Sequence, residues 1–473
     1  IVANRPAVPC LHGRLSSNVR PRNSWTDPRD ATAYGPQCAQ LGIQGDFAPN
    51  SVEDCLSLNI WSPTAATPDA RRPVMVWIHG GGFILGSGSE GTYEGTKLSE
   101  AGNVVIVTIN YRLGPLGFLS HPALTTEDPG YPTSGNQGLL DQQAALYWVR
   151  DNIAAFGGDP QNVTLFGESA GGISTCMHLV AEKSRGLFQR AIMESGPCTY
   201  GVQPTLADQE KQGQALAAAV GCNMGDTAAV RACLRAKSPK DIMTALPGRP
   251  GLIGAGGYSW GPVIDGLLLV KQPREVFLGG KQHAVPLLIG SNADEGTLFY
   301  KLGAALKDET EARAALGVFF NPTQVDSILK QYPFASFPSP TDTAIKVVSD
   351  LFTCDARRVA RAHAAAGNAT YEYHFTRAFQ WIYPGLGAFH SAELPFVWGN
   401  PFAFIPLKPE EQPLSQSMQG YWTRFAKAGD PNGTGAIAWP AYKADTDTHL
   451  KLDLQIAAGN NLRKDACDFW DAL

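Results

Sequence analysis

The sequence predicts an α/β fold, with one large, mostly parallel central sheet, helices on both faces and mainly helical insertions. Three observations carry this reading. Apolar runs of strand length recur along the chain, each closes on glycine or polar residues, and segments of helical period lie between them. The stretch RPVMVWIHGGG, Arg72 to Gly82, is continuously apolar before its glycines, as a strand buried on both faces requires. NVVIVTINYR, Asn103 to Arg112, is a second such run. From Gln137 onward, Leu139, Leu140, Ala144, Leu146, Tyr147 and Ile153 recur at helical spacing, and the pattern stops at Gly157 and Gly158. NVTLFG, Asn162 to Gly167, predicts a third strand, with a helix behind it over GGISTCMHLVAEK. FQRAIMESG, from Phe188, and AVPLLIGSNADEG, from Ala284, add two more strands. Helical, peripheral segments at about 204–245 and 304–366 read as insertions over the sheet edge, so residues 1–473 form one catalytic unit. In such a sheet ligands bind beyond the carboxyl ends of the strands.

Composition excludes several classes of function. The 473 residues are 44% hydrophobic and 17% charged, an ordinary globular balance. The net charge of −5 comes from 38 basic and 43 acidic residues without a basic cluster, which argues against nucleic acid or an anionic membrane as partner. No window approaches the roughly 18 apolar residues of a spanning helix. Ile1 opens the chain without an apolar leader run, which reads as a processed, trimmed or engineered start. The nine cysteines avoid C-x-x-C pairs, which argues against zinc or thioredoxin-like chemistry and fits disulfides in an oxidising compartment.

Candidate chemistry clusters just after strands. Gly167-Glu168-Ser169-Ala170-Gly171 fits G-x-S-x-G between a strand and a helix, where small residues let a serine stand on a sharp turn with its hydroxyl exposed. The alternative is a plain tight turn. HGGGF, His79 to Phe83, follows a buried strand earlier in the chain, and its glycines free backbone N–H groups to face a substrate oxygen. Gly81, Gly82 and Ala170 are the expected oxyanion donors. For the acid, SNADEGT offers adjacent Asp294 and Glu295, and Asp265 in PVIDG is a third choice that also reads as a turn residue. Among the later histidines, His363 reads as solvated on a helix, His374 as a strand position and His449 as part of a polar turn. His390, in the glycine-rich GLGAFHSAELPF, suits a base. Of the earlier histidines, His79 is expected to brace the glycine loop and His178 to sit on the helix behind the serine.

Assembled in order, EDCLSLNIWSP, VMVWIHGGGF, NYRLGPLGFL, LFGESAGG, PVIDG, GSNADEGT, FHSAELPFVWG and FAKAGDPN resemble the type B carboxylesterases, the family that includes cholinesterases and many microbial esterases. The resemblance covers the chain from about Trp25 to its end. It implies an α/β-hydrolase fold and a triad of Ser169, Glu295 and His390, with Glu168 shaping the alcohol side of the pocket. It also implies a buried, supportive Ser195 and disulfides Cys38–Cys55, Cys222–Cys233 and Cys354–Cys467. Each bridge would contribute about 2–4 kcal/mol by loop entropy. Cys10, Cys176 and Cys198 stay unassigned.

The implied activity is hydrolysis of small to medium carboxylic esters through an acyl-enzyme, without metal or organic cofactor. The partner is a small-molecule ester, the chain a monomer or weak homo-oligomer, and the location secreted or periplasmic. A non-catalytic adhesion-type relative and a lipase for longer acyl chains are the competing readings. Two departures from the family stand out. Residues 1–23 carry no recognisable family segment, and the Cys38–Cys55 loop lacks the tryptophan that binds quaternary ammonium in cholinesterases. Near Tyr258 and Trp260, the aromatics expected in the substrate pocket, Gly256 replaces a bulky acyl-side residue and implies a roomier pocket.

Overall fold

Strand formation follows the apolar runs. The computed structural model describes residues 30–42, 45–63, 67–200, 203–248, 258–301, 305–317, 319–379, 385–402 and 406–473. Residues 1–23, Cys10 and Gly256 lie outside the described residues. Two short strands, β1 (Gln37–Cys38) and β2 (Ser51–Val52), pair in parallel near the first disulfide. The main sheet comprises β3 (Leu58–Trp61), β4 (Arg72–Ile78), β5 (Val105–Ile109), β6 (Gly158–Glu168) and β7 (Arg190–Glu194). It continues with β8 (Leu287–Asn292), β9 (Thr370–Phe375), β10 (His449–Leu452) and β11 (Ala457–Gly459). Their spatial order is β11-β10-β9-β8-β7-β6-β4-β5-β3, parallel throughout except for the antiparallel outer strands β3 and β11.

Alternation along each central strand builds two core layers. Val74, Val76 and Ile78 of β4 join Val163 and Leu165 of β6 on one face, against the helices Gln137–Asn152 and Ala170–Val180. Met75, Trp77 and Phe166 point to the other face, against the helix Gln412–Ala428. There Trp77 meets Trp398 edge to face, with ring centroids 5.2 Å apart. The helix Gln137–Asn152 runs into a 3₁₀ turn at Ile153–Phe156, and Gly157 ends it at φ 79°.

The segments at about 204–245 and 304–366 are helical, although the long helix of the second packs on β8 and β9, with Ala356, Val359 and Ala360 in the main core, rather than at the periphery. Leu206–Ala219, Thr227–Ala236 and Pro239–Thr244 are capped by Thr205, Asp226 and Ser238. Glu309–Leu316, Pro322–Gln331 and the long helix Pro340–Ala365 enclose a third apolar cluster around Trp470. Four disulfides staple the chain: Cys38–Cys55, Cys222–Cys233, Cys354–Cys467 and Cys176–Cys198. The last joins two cysteines that the sequence left unassigned, and it ties the helix behind Ser169 to the segment after β7.

Two histidine readings are corrected. His363 is not solvated; it is fully buried on the long helix, with Nε2 2.7 Å from the Val285 carbonyl. His449 is not in a turn; it opens β10 and is buried. A helix period alone does not reveal the neighbours that bury His363, and a four-residue strand is too short to show alternation at His449.

Candidate active site

Ser169 stands at the carboxyl end of β6 with φ 56° and ψ −122°, a backbone conformation that costs a non-glycine residue about 1–3 kcal/mol. The corner is made possible by two facing glycines. A Cβ on Gly171 would fall 1.9 Å from the Ile78 carbonyl oxygen, and one on Gly167 would fall 2.5 Å from the Gly171 carbonyl carbon. Ala170 begins the helix behind, so its N–H is one of the orphan donors of a helix N-terminus. The loop after β4 abuts this corner, because a Cβ on Gly80 would lie 3.1 Å from Ser169 Cβ. Gly81 and Gly82 follow with φ 99° and 62°.

His390 lies between two carboxylates. Its Nδ1 is 2.6 Å from Glu295 Oε2, and its Nε2 is 3.1 Å from Glu168 Oε1. The second contact lacks hydrogen-bond alignment, so Nε2 has no hydrogen-bond partner among the described residues. Phe299 and Phe352 pack on the imidazole with ring centroids 4.8 Å and 5.3 Å away. Glu295 is fully buried, and its other oxygen accepts from Ser195 Oγ at 2.6 Å and from the Asn292 N–H at 2.7 Å. Its neighbour Asp294 accepts instead from the Ala388 N–H, 2.9 Å away, and so anchors the loop that carries His390. Asp265 is spent on a turn, accepting from the N–H groups of Leu267, Leu268 and Leu269.

Burial opposes the imidazolium of His390, yet Glu168 and Glu295 outweigh it and hold its pKa above the ordinary value. Burial raises the Glu168 carboxyl to about 7, against the pull of His390 and Ser391. His79 is held down to about 4, chiefly by burial, and is therefore neutral at neutral pH. Its Nδ1 lies 2.8 Å from the Gly80 carbonyl and its ring stacks on Tyr111, so it braces the glycine loop. His178 bonds Ser184 and Gln142 inside the helix layer, and His374 lies within β9.

Tyr258 is half-buried and Trp260 buried; Gly261 beside them packs toward Phe83 of the glycine loop. Neither ring has a described contact with Ser169, Glu295 or His390. Two acids escaped the sequence reading. Glu194 at the end of β7 accepts from Trp422 Nε1 at 2.9 Å, and Glu393 accepts from Asn292 Nδ2. Burial pushes Glu194 up to about 8 and Glu393 well above the carboxylate range. A glutamate inside an apolar run, as in IMESG and AELPF, was the available signal. Among the described residues no group of three or more His, Cys, Asp or Glu side chains is placed to hold a metal ion.

A half-buried serine on a strained corner, a buried histidine fixed by a carboxylate and a glycine loop beside them can together carry out acyl transfer. The known proteins agree with that chemistry. A model of the carboxylesterase family matches residues 17–470. The chain is 38% identical over 458 residues to the para-nitrobenzyl esterase of Bacillus subtilis (strain 168), covering 93% of this chain and 88% of that protein. It is 37% identical over 498 residues to carboxylesterase 5A of Felis catus, covering 98% and 88% of the two chains. A solved PNB esterase matches with a TM-score of 0.82 and 35% identity, over 98% of this chain and 94% of that one. The chain belongs to the carboxylesterase family and is a carboxylesterase with the α/β-hydrolase fold.

Proposed function

We propose that this enzyme hydrolyses small to medium carboxylic esters through a Ser169–His390–Glu295 triad. The observation that carries the reading is His390 itself: Nδ1 is held by Glu295, while Nε2, 3.1 Å from the Glu168 carboxylate that precedes Ser169, has no hydrogen-bond partner among the described residues. Ser169 Oγ adds to the ester carbonyl as His390 Nε2 takes its proton. The amides of Gly81, Gly82 and Ala170 receive the oxyanion. The tetrahedral species collapses, the C–O bond to the alcohol breaks, and Nε2 returns the proton to the departing alkoxide. Water then attacks the acyl-enzyme, again losing its proton to Nε2, and the carboxylic acid leaves as Ser169 regains a proton. Glu295 holds one tautomer of the ring and stabilises the imidazolium, while Ser195 and the Asn292 N–H hold Glu295.

Glu168 borders the alcohol side of the pocket, with Tyr258 and Trp260 on the substrate side. Without a tryptophan in the Cys38–Cys55 loop, quaternary ammonium alcohols lose their aromatic partner, so uncharged alcohols are the favoured leaving groups. The four disulfides, and the lack of a described helix able to cross a membrane, support a secreted or periplasmic location. Residues 1–473 act as one catalytic unit, as a monomer or weak homo-oligomer. Ser169→Ala should lower turnover of a p-nitrophenyl ester by at least about 10³-fold with the melting temperature retained. Undiminished turnover would remove Ser169 from the mechanism. His390→Ala should be crippled to a similar degree and His374→Ala far less; the reverse order sinks the base assignment.

A further inference from the structure

We infer that Ser391 is a positioning residue for the histidine base: its hydroxyl holds the Glu168 carboxylate against the proton-transferring edge of His390 and so sets the pH at which the base is lost. The inference rests on the triad reading above. Ser391 directly follows His390 and adopts φ 72°, where glycine would be the comfortable residue. A side chain kept in the left-handed region invites the question of what it does. Its Oγ donates to Glu168 Oε1 at 2.7 Å, and the same oxygen lies 3.1 Å from His390 Nε2. One serine therefore fixes where the second carboxylate stands relative to the ring.

The surroundings leave few charges to compete. Glu295 faces Nδ1, and Glu90, Glu194, Glu393, Tyr93 and Tyr373 act on Glu168 or its neighbours through the buried layer. Burial pushes Glu194 up to about 8 and raises Glu393, Glu90 and both tyrosines as well. The carboxylates in contact with the ring nitrogens are Glu295 and Glu168. A hydroxyl donor favours the ionised form of Glu168, and ionised Glu168 favours the imidazolium of His390. His390 can take the Ser169 proton only when neutral. The Ser391 hydroxyl thus moves the acid limb of the activity profile upward.

Removing that hydroxyl should move the limb down. For Ser391→Gly, the acid limb of kcat/KM for p-nitrophenyl acetate is expected to fall by roughly 0.5–1 pH unit. Ser391→Ala, which keeps the strained backbone without the donor, should move in the same direction. In a Glu168→Gln background the same substitutions should move nothing, because the charge they act through is gone. An unchanged limb in both Ser391 variants overturns the proposal, and so does an equal shift in the Glu168→Gln background, which would make the effect structural. Ser169→Ala is assayed alongside. If it turns over the ester, the triad reading itself has failed; if it is dead while the limb stays put, only the role of Ser391 has failed.

Discussion

At the scale of single residues, the site is a contest between burial and charge. Glu194 shows the cost most plainly: it is fully buried, one oxygen receives Trp422 Nε1, and the other has no hydrogen-bond partner among the described residues. Its folded pKa of about 8 exceeds the ordinary 4.5. The folded state therefore binds the proton more tightly, and the stability Glu194 contributes is full below about 4.5 and lost as pH rises through about 8. Glu194→Gln should accordingly be near neutral at pH 5 and stabilising by about 1–3 kcal/mol at pH 9 in urea unfolding. A difference that stays flat with pH would show that the carboxyl ionises freely. How much of this was legible beforehand varied by residue. Ser169, His79, Glu295 and His390 sit in glycine-punctuated motifs whose backbone demands are local. The residues alone left Asp294 and Glu295 open and only the family resemblance named Glu295, since which carboxylate meets an imidazole nearly a hundred residues away depends on how two loops pack. Ser391 carried no signal at all; only its φ and its partner reveal it.

At the scale of elements, legibility followed burial. β4, β5, β7, β8 and the second half of β6 are mostly apolar runs because both faces are covered there, and such runs stand out against any background. β3, β10 and β11 went unread; none exceeds four residues, too few for a period to appear. Pairing Cys176 with Cys198 was equally hidden, because those cysteines meet only once the elbow helix packs on β7. The bridges differ in the loops they close: 113 residues separate Cys354 from Cys467, and 11 separate Cys222 from Cys233. Loop entropy then assigns the long bridge about 4–5 kcal/mol and the short one about 2–3 kcal/mol. Paired Cys→Ser replacements should lower the melting temperature more at Cys354 and Cys467; the opposite ranking would mean that local packing, rather than chain entropy, governs these bridges. The buried pair Arg112–Asp141, bonded at 2.7 Å, is a second element-scale joint, fastening the segment after β5 to the helix Gln137–Asn152. Asp141→Ala should cost about 3–5 kcal/mol by removing the buried carboxylate to which the Arg112 amide, Nε and Nη2 all donate.

Across the whole molecule two populations of buried groups titrate in opposite senses. Burial holds His79, His283 and His363 near 4, and His178 and His374 near 3, below the ordinary 6.5. Their stabilising effect is present above about 6.5 and lost as pH falls from there toward 4. Glu168, Glu194, Glu372 and Glu393 are raised chiefly by burial and act the other way, losing stability as pH climbs above 4.5. The two sets offset one another between about 4.5 and 6.5; above that window the raised glutamates, joined by the raised His390, are no longer opposed by the lowered histidines. The melting temperature should therefore peak in or near that window and decline toward pH 8. A melting temperature that climbs from pH 6 to 8 would show that these carboxyls reach water.

The facing glycines of the elbow carry a consequence for how this enzyme can change. Because a methyl group on Gly171 would land on the backbone of β4, no rotamer can rescue a substitution there, and Gly167 is bound by the same geometry. A library randomised across the site and selected on any new ester should return those two positions unvaried, while variation gathers around Tyr258 and Trp260. The corner on which Ser169 stands also marks where substrate range cannot be explored, and diversification of this enzyme has to happen beyond it.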